Sequence, residues 1–442
     1  MSISLQHPTT DSCVNEIDKL ISAQTETPKW LRDIQRDNTN RFAEQSFPTR
    51  KTEHWKYNDL SSLRTKSFLP ASQQSIDSQD FDSLLLPLND AIRCVFINGI
   101  YSEALSSTEL SSAVKVTRFV NANERQADSI NQSLKHAQQD RNLFINLNSA
   151  ISNDGLLIEI EKNIKVEQPI YLVHLSNSTV SDQIATNQVI IQAGSSSQSQ
   201  VIEHFVSLKN DKENKSFLTS QQTLIELTSN SHLAHHRVSV GTQNNQSIAR
   251  VLCRLAENAN LSSFYYSEGG VLDKTDIDIM HQGVNSESNL TGIYLPSEDN
   301  CVDFHTCIEH QVPHCNSRET FRGIIADSAK ATFNGKIHIF RDAQKSDAQL
   351  NNKNLLLTNS AEINTKPELE IYADDVVCAH GATIAKIDEK AIYYLKTRGI
   401  NEMQAKKMLS IGFINELLLE VKNETLKEFL TALVQKSLSN LR

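Results

Sequence analysis

Two side chains near the carboxyl-terminal end of the chain, Cys378 and His380, have the types and spacing of half a metal site. If a strand runs on unbroken from Leu369, both project to one face and the apolar residues project to the other. A thiol and an imidazole would supply two ligands to a soft or borderline metal, and a second chain would have to supply the others. The alternative is an exposed strand with an incidental Cys and His. Asp374-Asp375 could also turn the chain and change the facing.

A second group of ligand types lies upstream and consists of Cys301, His305, Cys307, His310, His314 and Cys315. On a strand, residues 301, 303, 305 and 307 share one face, but neighbours on that face are about 7 Å apart. That spacing is too wide for one ion unless another segment contributes a ligand. Packing within the fold is therefore the favoured interpretation, and metal binding stays open as the alternative.

Several motifs of catalysis and nucleotide binding are missing from the sequence. Gly335-Lys336 is followed by Ile337 rather than Ser or Thr, so it does not form a P-loop. No G-x-G-x-x-G, H-E-x-x-H or G-x-S-x-G pattern occurs either. If this protein takes part in ATP chemistry, another chain must supply the nucleotide site.

Composition narrows the class of protein. The 442 residues include 43 basic and 53 acidic side chains, a formal net charge of −10 that argues against nucleic acid as the main partner. No apolar run is long enough for a membrane span, and the amino-terminal residues do not form a secretory signal pattern. The seven cysteines are scattered without a C-x-x-C pair, which indicates a reduced, cytoplasmic protein.

The elements that must position these residues change character along the chain. From residue 91 to about residue 383, short β-rich runs alternate with Ser, Asn, Gln and Asp clusters. Polar turns that each open a strand recur before Leu233, Leu261 and Leu290, at intervals of 28 and 29 residues. This period predicts a parallel β-helix, a solenoid in which each coil covers its neighbour, rather than a β-sandwich. Because glycine is scarce, Asn, Asp and Ser are expected at the bends.

Helical patterns flank this region on both sides. Near the amino terminus, residues 47–57 mix aromatic and basic side chains, which favours a loop packed by its aromatics over a nucleic-acid contact. Near the carboxyl terminus, Asp388 and Gly399 bound a predicted helix, and Asn401 caps a longer one. A last helix carries a wide apolar stripe that either packs within its own helical domain or binds another protein. The stripe comprises Leu426, Phe429, Leu430, Leu433, Val434 and Leu438.

Two runs of residues resemble a known family. The segment 367–383 reads PELEIYADDVVCAHGAT and the segment 391–400 reads AIYYLKTRGI. Both closely resemble the signature of the SufB/SufD family of iron–sulfur cluster assembly proteins, and segments 318–323, 333–337 and 342–350 are similar to it as well. Segments 48–51 and 54–57 resemble the SufD branch. Ala379 and Ala385 stand where the family usually has Ser and Gly, and neither change removes a candidate ligand.

The resemblance implies a mainly β fold, a right-handed parallel β-helix over residues 91–386 between helical regions at 1–90 and 387–442. It implies a non-catalytic scaffold that pairs with a SufB-like paralogue through β-helix edges and docks a SufC-like ABC ATPase through its carboxyl-terminal helices. His380 is the implied ligand of a transient iron–sulfur cluster at the SufB–SufD interface, with Cys378 nearby. The candidate ATPase-docking residues are Tyr393, Tyr394, Leu395, Arg398, Gly399, Ile400 and Met408.

The sequence also gives expectations about cofactors, self-association and competing functions. No stably bound cofactor is expected in the isolated chain, and reduced flavin is a possible cofactor of the complex, with no flavin site in this sequence. An isolated chain could pair with a second copy through the same β-helix edge. The competing functions are a β-helix enzyme acting on polysaccharide and a stand-alone metal-binding protein that uses residues 301–315.

Overall fold

The fold is built from two long parallel β-sheets that wind together as a solenoid. The computed structural model describes residues 3–5, 11–24, 26–72, 74, 76, 78–88, 90–107, 111–137, 142–177, 182–208, 217–241 and 245–439. The strands are β1 (Ile3–Ser4), β2 (Ser67–Pro70), β3 (Ile92–Ile97), β4 (Ile100–Tyr101), β5 (Val114–Arg118), β6 (Leu156–Ile160), β7 (Ile170–Ser176), β8 (Gln183–Ala193), β9 (Gln198–Ser207), β10 (Phe217–Leu227), β11 (His232–Val240), β12 (Asn245–Leu255), β13 (Asn260–Ser267), β14 (Leu272–His281), β15 (Glu287–Tyr294), β16 (Cys301–His310), β17 (Asn316–Ile325), β18 (Lys330–Ile339), β19 (Asp347–Leu356), β20 (Glu362–Ile371) and β21 (Val377–Lys386).

Helices lie before, beside and after these strands. The α-helices are α1 (Asp11–Ala23), α2 (Lys29–Ala43), α3 (Ser61–Arg64), α4 (Ser78–Asp82), α5 (Glu124–Ala137), α6 (Leu143–Ile151), α7 (Glu389–Thr397), α8 (Glu402–Leu419) and α9 (Glu424–Ser437). Short 3₁₀ helices cover Glu53–Trp55, Glu103–Leu105 and Phe119–Asn121.

Consecutive strands alternate between the two sheets. From β8 onward the even-numbered strands pair in parallel with one another, and so do the odd-numbered strands from β7 onward. The strands β8 to β21 therefore form seven coils in the described part of the chain, and the predicted mainly β, parallel solenoid is confirmed. The predicted repeat is two residues out of register at one point, because Leu261 pairs with Ser288 rather than with Leu290.

The bends use the residue types that the sequence predicted. Asn230, Asn258, Asn285 and Asp327 have φ values between 51° and 59°, in the left-handed region. Asn and Asp tolerate this conformation better than most residues, because their short polar side chains can bond to the local backbone. The corners are thus made without many glycines.

A continuous apolar core fills the solenoid. Its centre is a column of rings in which Phe321 lies 5.3 Å from Phe304 and 5.0 Å from Phe333, centroid to centroid. Gly292 gives this column room, since a Cβ there would come within 2.1 Å of the Phe321 ring. Interior packing of this kind, repeated from coil to coil, holds the stack together.

The outer faces of the two sheets are covered by different helices. The apolar stripe of α9 packs with α8 on the odd-numbered sheet, where Leu430 and Ile414 join a buried cluster with Ile202. Most of that stripe is thus buried, partly against α8 of its own helical region, as one alternative predicted, and partly against the solenoid, which the sequence did not predict. The even-numbered sheet is covered by the amino-terminal region with α5 and α6.

Helix α6 is the main element that the sequence patterns missed. All nine of its residues are buried, so its sequence LFINLNSAI has no polar face to give a helical period. Asn142 caps it by accepting a hydrogen bond from the Phe144 amide at 3.1 Å. A helix buried on every side cannot be distinguished from a buried strand by hydrophobic pattern alone.

Candidate functional site

The candidate ligands Cys378 and His380 lie on β21, the last strand of the odd-numbered sheet. Cys378 pairs with Ala348 and His380 pairs with Leu350 on β19. Both partners are buried in the solenoid core, so Cys378 and His380 face the lumen rather than the outer side. The predicted outward facing is therefore wrong.

The turn at Asp374-Asp375 explains the difference. Strand β20 ends at Ile371 and β21 begins at Val377, so the alternation of faces does not continue from one strand to the next. Val377, expected on the apolar face, points outward and keeps 61% of its surface exposed. Because no described strand continues the sheet beyond β21, its lumen face is open and the His380 side chain is exposed.

The two side chains differ in environment. Cys378 is half-buried against the core, and burial, with the nearby Asp347 carboxylate, raises the pKa of its thiol. The thiol is therefore protonated at neutral pH and would have to lose its proton to bind a metal. Within the described residues, no group of three or more His, Cys, Asp and Glu side chains is arranged to hold a metal ion.

The predicted docking residues lie on and after α7. This helix has no buried residue, and Tyr393 and Tyr394 are 71% and 58% exposed. Met408 on α8 is 51% exposed, whereas Leu395 and Ile400 are half-buried. The Arg398 guanidinium lies 5.4 Å from the centre of the Tyr394 ring, and Gly399 ends the helix with a φ of +84°. The structure therefore presents an exposed aromatic and basic surface here.

The six candidate ligand residues of segment 301–315 lie at separate places in the structure. His310 is buried at the end of β16, stacked 4.7 Å from His281, and burial lowers its pKa to about 4. Cys315 is buried next to Ser286, with 3.4 Å between Sγ and Oγ, and His314 is exposed in a turn with a φ of +62°. These three do not converge on one point.

The others lie on the outer face of β16. Cys301, His305 and Cys307 share that face with Asp303, as the strand period predicts, and they line or border the interface with the amino-terminal loop. Trp55 anchors this loop, its ring 5.1 Å from that of Phe144. The expectation of a loop packed by its aromatics is confirmed.

The loop brings His54 to His305, a contact that the sequence did not predict. Their Nδ1 atoms are 3.3 Å apart although the residues are 251 positions apart in the chain. The other ring nitrogen of His305, Nε2, lies 2.9 Å from Asp303 Oδ1. Burial lowers the pKa of His54, opposed by the Asp276 carboxylate.

A buried ion network supports this pair. The Lys274 ammonium is fully buried, 3.3 Å from Asp303 and 2.9 Å from Asp276. Asn58 also donates to Asp303, and the lysine charge holds the pKa of Asp303 well below its usual range. Asp303 is therefore ionised and fixed, and it orients the His305 ring.

Beside this network lies a cleft of about 520 Å³ between the loop and the even-numbered sheet. The described side chains that line it include more acidic than basic ones. The acidic ones are Glu53, Asp276, Asp278, Glu309, Glu368 and Glu370, and the basic ones are Arg250 and Lys336.

Comparison with known proteins gives matches over most of the chain. Residues 174–413 match the model of the SufBD core domain of the SUF system for FeS cluster assembly, and residues 15–172 match that of the SufBD amino-terminal region. The chain is 33% identical over 393 residues to the iron–sulfur cluster assembly protein SufD of Escherichia coli, covering 88% of this chain and 89% of that protein.

More distant relatives cover nearly the whole chain. SufD of Bacillus subtilis is 22% identical over 435 residues, 95% of this chain and 96% of that protein. The chloroplastic protein ABCI7 of Arabidopsis thaliana is 24% identical over 433 residues, 96% and 90% of the two chains. Among the described residues, none of the helices has the length and apolarity needed to cross a membrane.

Proposed function

The chain belongs to the SufBD family of iron–sulfur cluster assembly proteins, and we propose that it is the SufD-like scaffold subunit of a SufBCD-type complex. In this proposal it pairs with a SufB-like paralogue and docks a SufC-like ABC ATPase, and the cluster forms at the SufB–SufD interface. The observation that carries the proposal is the open terminal coil, which exposes His380 beside the half-buried Cys378 where no described strand follows.

The open coil favours pairing through β21. Strands β20 and β21 each have one neighbour in their sheet, and an unpaired edge can accept another strand. Pro367 lies within β20, and the amino-terminal loop reaches that strand through Glu53, 2.7 Å from Lys366. A proline removes one backbone donor from a strand. Strand β21 has no such obstacle and carries both candidate ligands.

Two ligands do not complete a metal shell, and this suits an interface site. His380 would contribute an imidazole from the exposed lumen face, and Cys378 a thiolate once iron has displaced its proton. The remaining ligands would come from the partner. When the pairing is absent, an isolated chain would use the same edge to bind a second copy of itself.

The exposed surface of α7 is the proposed docking site of the ATPase. Tyr393 and Tyr394 are large, exposed and close to Arg398, the residue types that dominate binding energy in protein interfaces. ATP binding by that partner would move α7 and so change the SufB–SufD interface. In this proposal the chain is a non-catalytic scaffold, and the partner supplies the nucleotide-binding motif that its sequence lacks.

Cofactor and compartment follow from the same proposal. The isolated chain would hold no stable cofactor, while the complex would carry a transient cluster. No disulfide joins any of the seven cysteines, which supports a reducing compartment such as the cytoplasm.

The test is to express His380→Ala with the SufB-like and SufC-like partners and to measure complex recovery and cluster absorbance. We expect an intact complex with strongly reduced cluster formation. His314→Ala, an exposed histidine in a turn of the same solenoid, is the matched control and should behave as the parent protein. Normal cluster formation by His380→Ala in an intact complex would refute the ligand role.

A further inference from the structure

The contact between His54 and His305 has the geometry of two neighbouring metal ligands. Their Nδ1 atoms are 3.3 Å apart. Two nitrogens bound to one tetrahedral ion at about 2.05 Å each are about 3.3 Å apart. We propose that His54 and His305 bind a divalent transition-metal ion of the zinc class through these Nδ1 atoms.

The tautomer of His305 suits this role. Its Nε2 lies 2.9 Å from Asp303 Oδ1, and with the proton on Nε2 the Nδ1 atom presents a lone pair toward His54. A histidine that binds a metal commonly donates its other N–H to a carboxylate, which fixes the ring. Here Lys274 and Asn58 hold that carboxylate in turn.

The tautomer of His54 changes when an ion binds. Without a metal, its Nδ1–H donates to the His305 lone pair. When an ion binds, the His54 proton moves through solvent to Nε2, and both Nδ1 lone pairs point to the ion. His54 remains accessible from the cleft, so an ion can reach it.

The charge of the surroundings favours a cation. The cleft next to the pair is lined by more acidic than basic side chains, and Asp276 lies opposite His305 in the strand register. Since the described residues hold no ready three-ligand group, the protein supplies two positions. Water, or Asp276 after a small movement, fills the others. Imidazole with oxygen ligands suits Zn²⁺, Co²⁺, Ni²⁺ and Fe²⁺ rather than Mg²⁺ or Ca²⁺.

This site is distinct from the terminal coil. His305 is on the outer face of β16 in the even-numbered sheet, whereas His380 is on the lumen face of β21 in the odd-numbered sheet. The inference therefore does not depend on the proposed function, and the experiment can separate the two.

The experiment uses the full chain with Cys378→Ser and His380→Ala, which removes the terminal pair. Co²⁺ is titrated and followed by its visible d–d absorption, and Zn²⁺ is titrated by calorimetry. We expect one equivalent of each ion to bind. His54→Ala should weaken binding by at least about tenfold, while His232→Ala, an exposed histidine on β11, should leave it unchanged. Unchanged affinity in His54→Ala, or no binding in the starting protein, would overturn the proposal.

A structural measurement guards against variants that fold poorly. His54 is in an exposed loop, and thermal melting of His54→Ala should match that of the control. Crystals of the Cys378→Ser, His380→Ala chain soaked in Zn²⁺ should show an anomalous peak within about 2 Å of both Nδ1 atoms. A peak elsewhere, or none, would contradict the assignment even if titration detects binding.

Discussion

The interior coils and the terminal coil have the same parallel strand pairing but differ in what covers them. Ten of the eleven residues of β10 are buried, whereas none of the ten in β21 is. Inside, each strand has a neighbour on both sides; at the end, one neighbour is missing. The comparison separates two roles, since the interior coils supply stability and the last coil supplies an accessible edge.

Phe321→Ala, in the interior, should have the largest effect on stability. The ring lies in the aromatic column of the core, so its loss leaves a cavity and should lower the free energy of unfolding by about 4 kcal/mol. Ile384→Ala on β21, where the side chain is 48% exposed, is the control with little expected change. Urea unfolding measures both. Equal losses would mean that the terminal coil is as tightly packed as the interior.

A buried acid gives the second test. Glu319 faces the lumen between Leu290 and Leu350, and burial raises its pKa to about 8. The unfolded chain loses this proton near the ordinary glutamate pKa, so the free energy of unfolding falls as the pH rises from there to about 8. Glu319→Gln should remove this slope and stabilise the protein at pH 7 by on the order of 3 kcal/mol.

The measurement is urea unfolding at a series of pH values. The exposed Glu428→Gln on α9 is the matched control and should keep the slope of the parent protein. A parallel pH profile for Glu319→Gln would show that this carboxyl titrates normally and that water reaches the interior.

Glycine-to-alanine changes at two positions in the carboxyl-terminal region should change the stability in opposite directions. Gly399 has a φ of +84°, so Gly399→Ala should cost about 1 kcal/mol through strain alone, since nothing lies within 4 Å of the added carbon. Gly412 lies within α8 with open space around it, and Gly412→Ala should stabilise that helix by a similar amount. Thermal melting compares the pair. A neutral Gly399→Ala would mean that α7 is not held at its junction with α8.

The smallest effect on stability is expected for Ile384→Lys on the open edge. Exposed substitutions typically change the free energy of unfolding by less than about 0.5 kcal/mol. Binding of the proposed SufB-like partner should nevertheless weaken, because a charge in the edge strand opposes strand addition. Ile384→Val is the control for co-purification. Undiminished partner binding by Ile384→Lys would move the interface away from β21.

The sequence predicted the solenoid because its corners and strands repeat along the chain. The interval of 28 residues from Leu233 to Leu261 is a true register pair, and Asn230 and Asn258 bend the chain as expected. The helix caps Asp388 and Asn401 were also predicted. The structure confirms them, because each side chain accepts a hydrogen bond from an amide two or three residues ahead. These features depend on local chemistry, which a sequence carries directly.

The facing of Cys378 and the partner of His305 could not be predicted in this way. The facing depends on how many residues the Asp374-Asp375 turn consumes, and one residue reverses every side chain. The pairing of His54 with His305 joins segments from opposite ends of the fold. The only signal in the sequence was that several potential ligand side chains share one face of β16.

The last contact that holds the amino-terminal loop can form only late in synthesis. Glu53 pairs with Lys366, which is made 313 residues later. At a ribosomal rate of about 5 to 20 residues per second, the loop waits roughly 15 to 60 s for its last anchor. Phe144 is made much earlier, so Trp55 can pack on it within that interval, and the loop should be held by this aromatic contact before the final coil emerges.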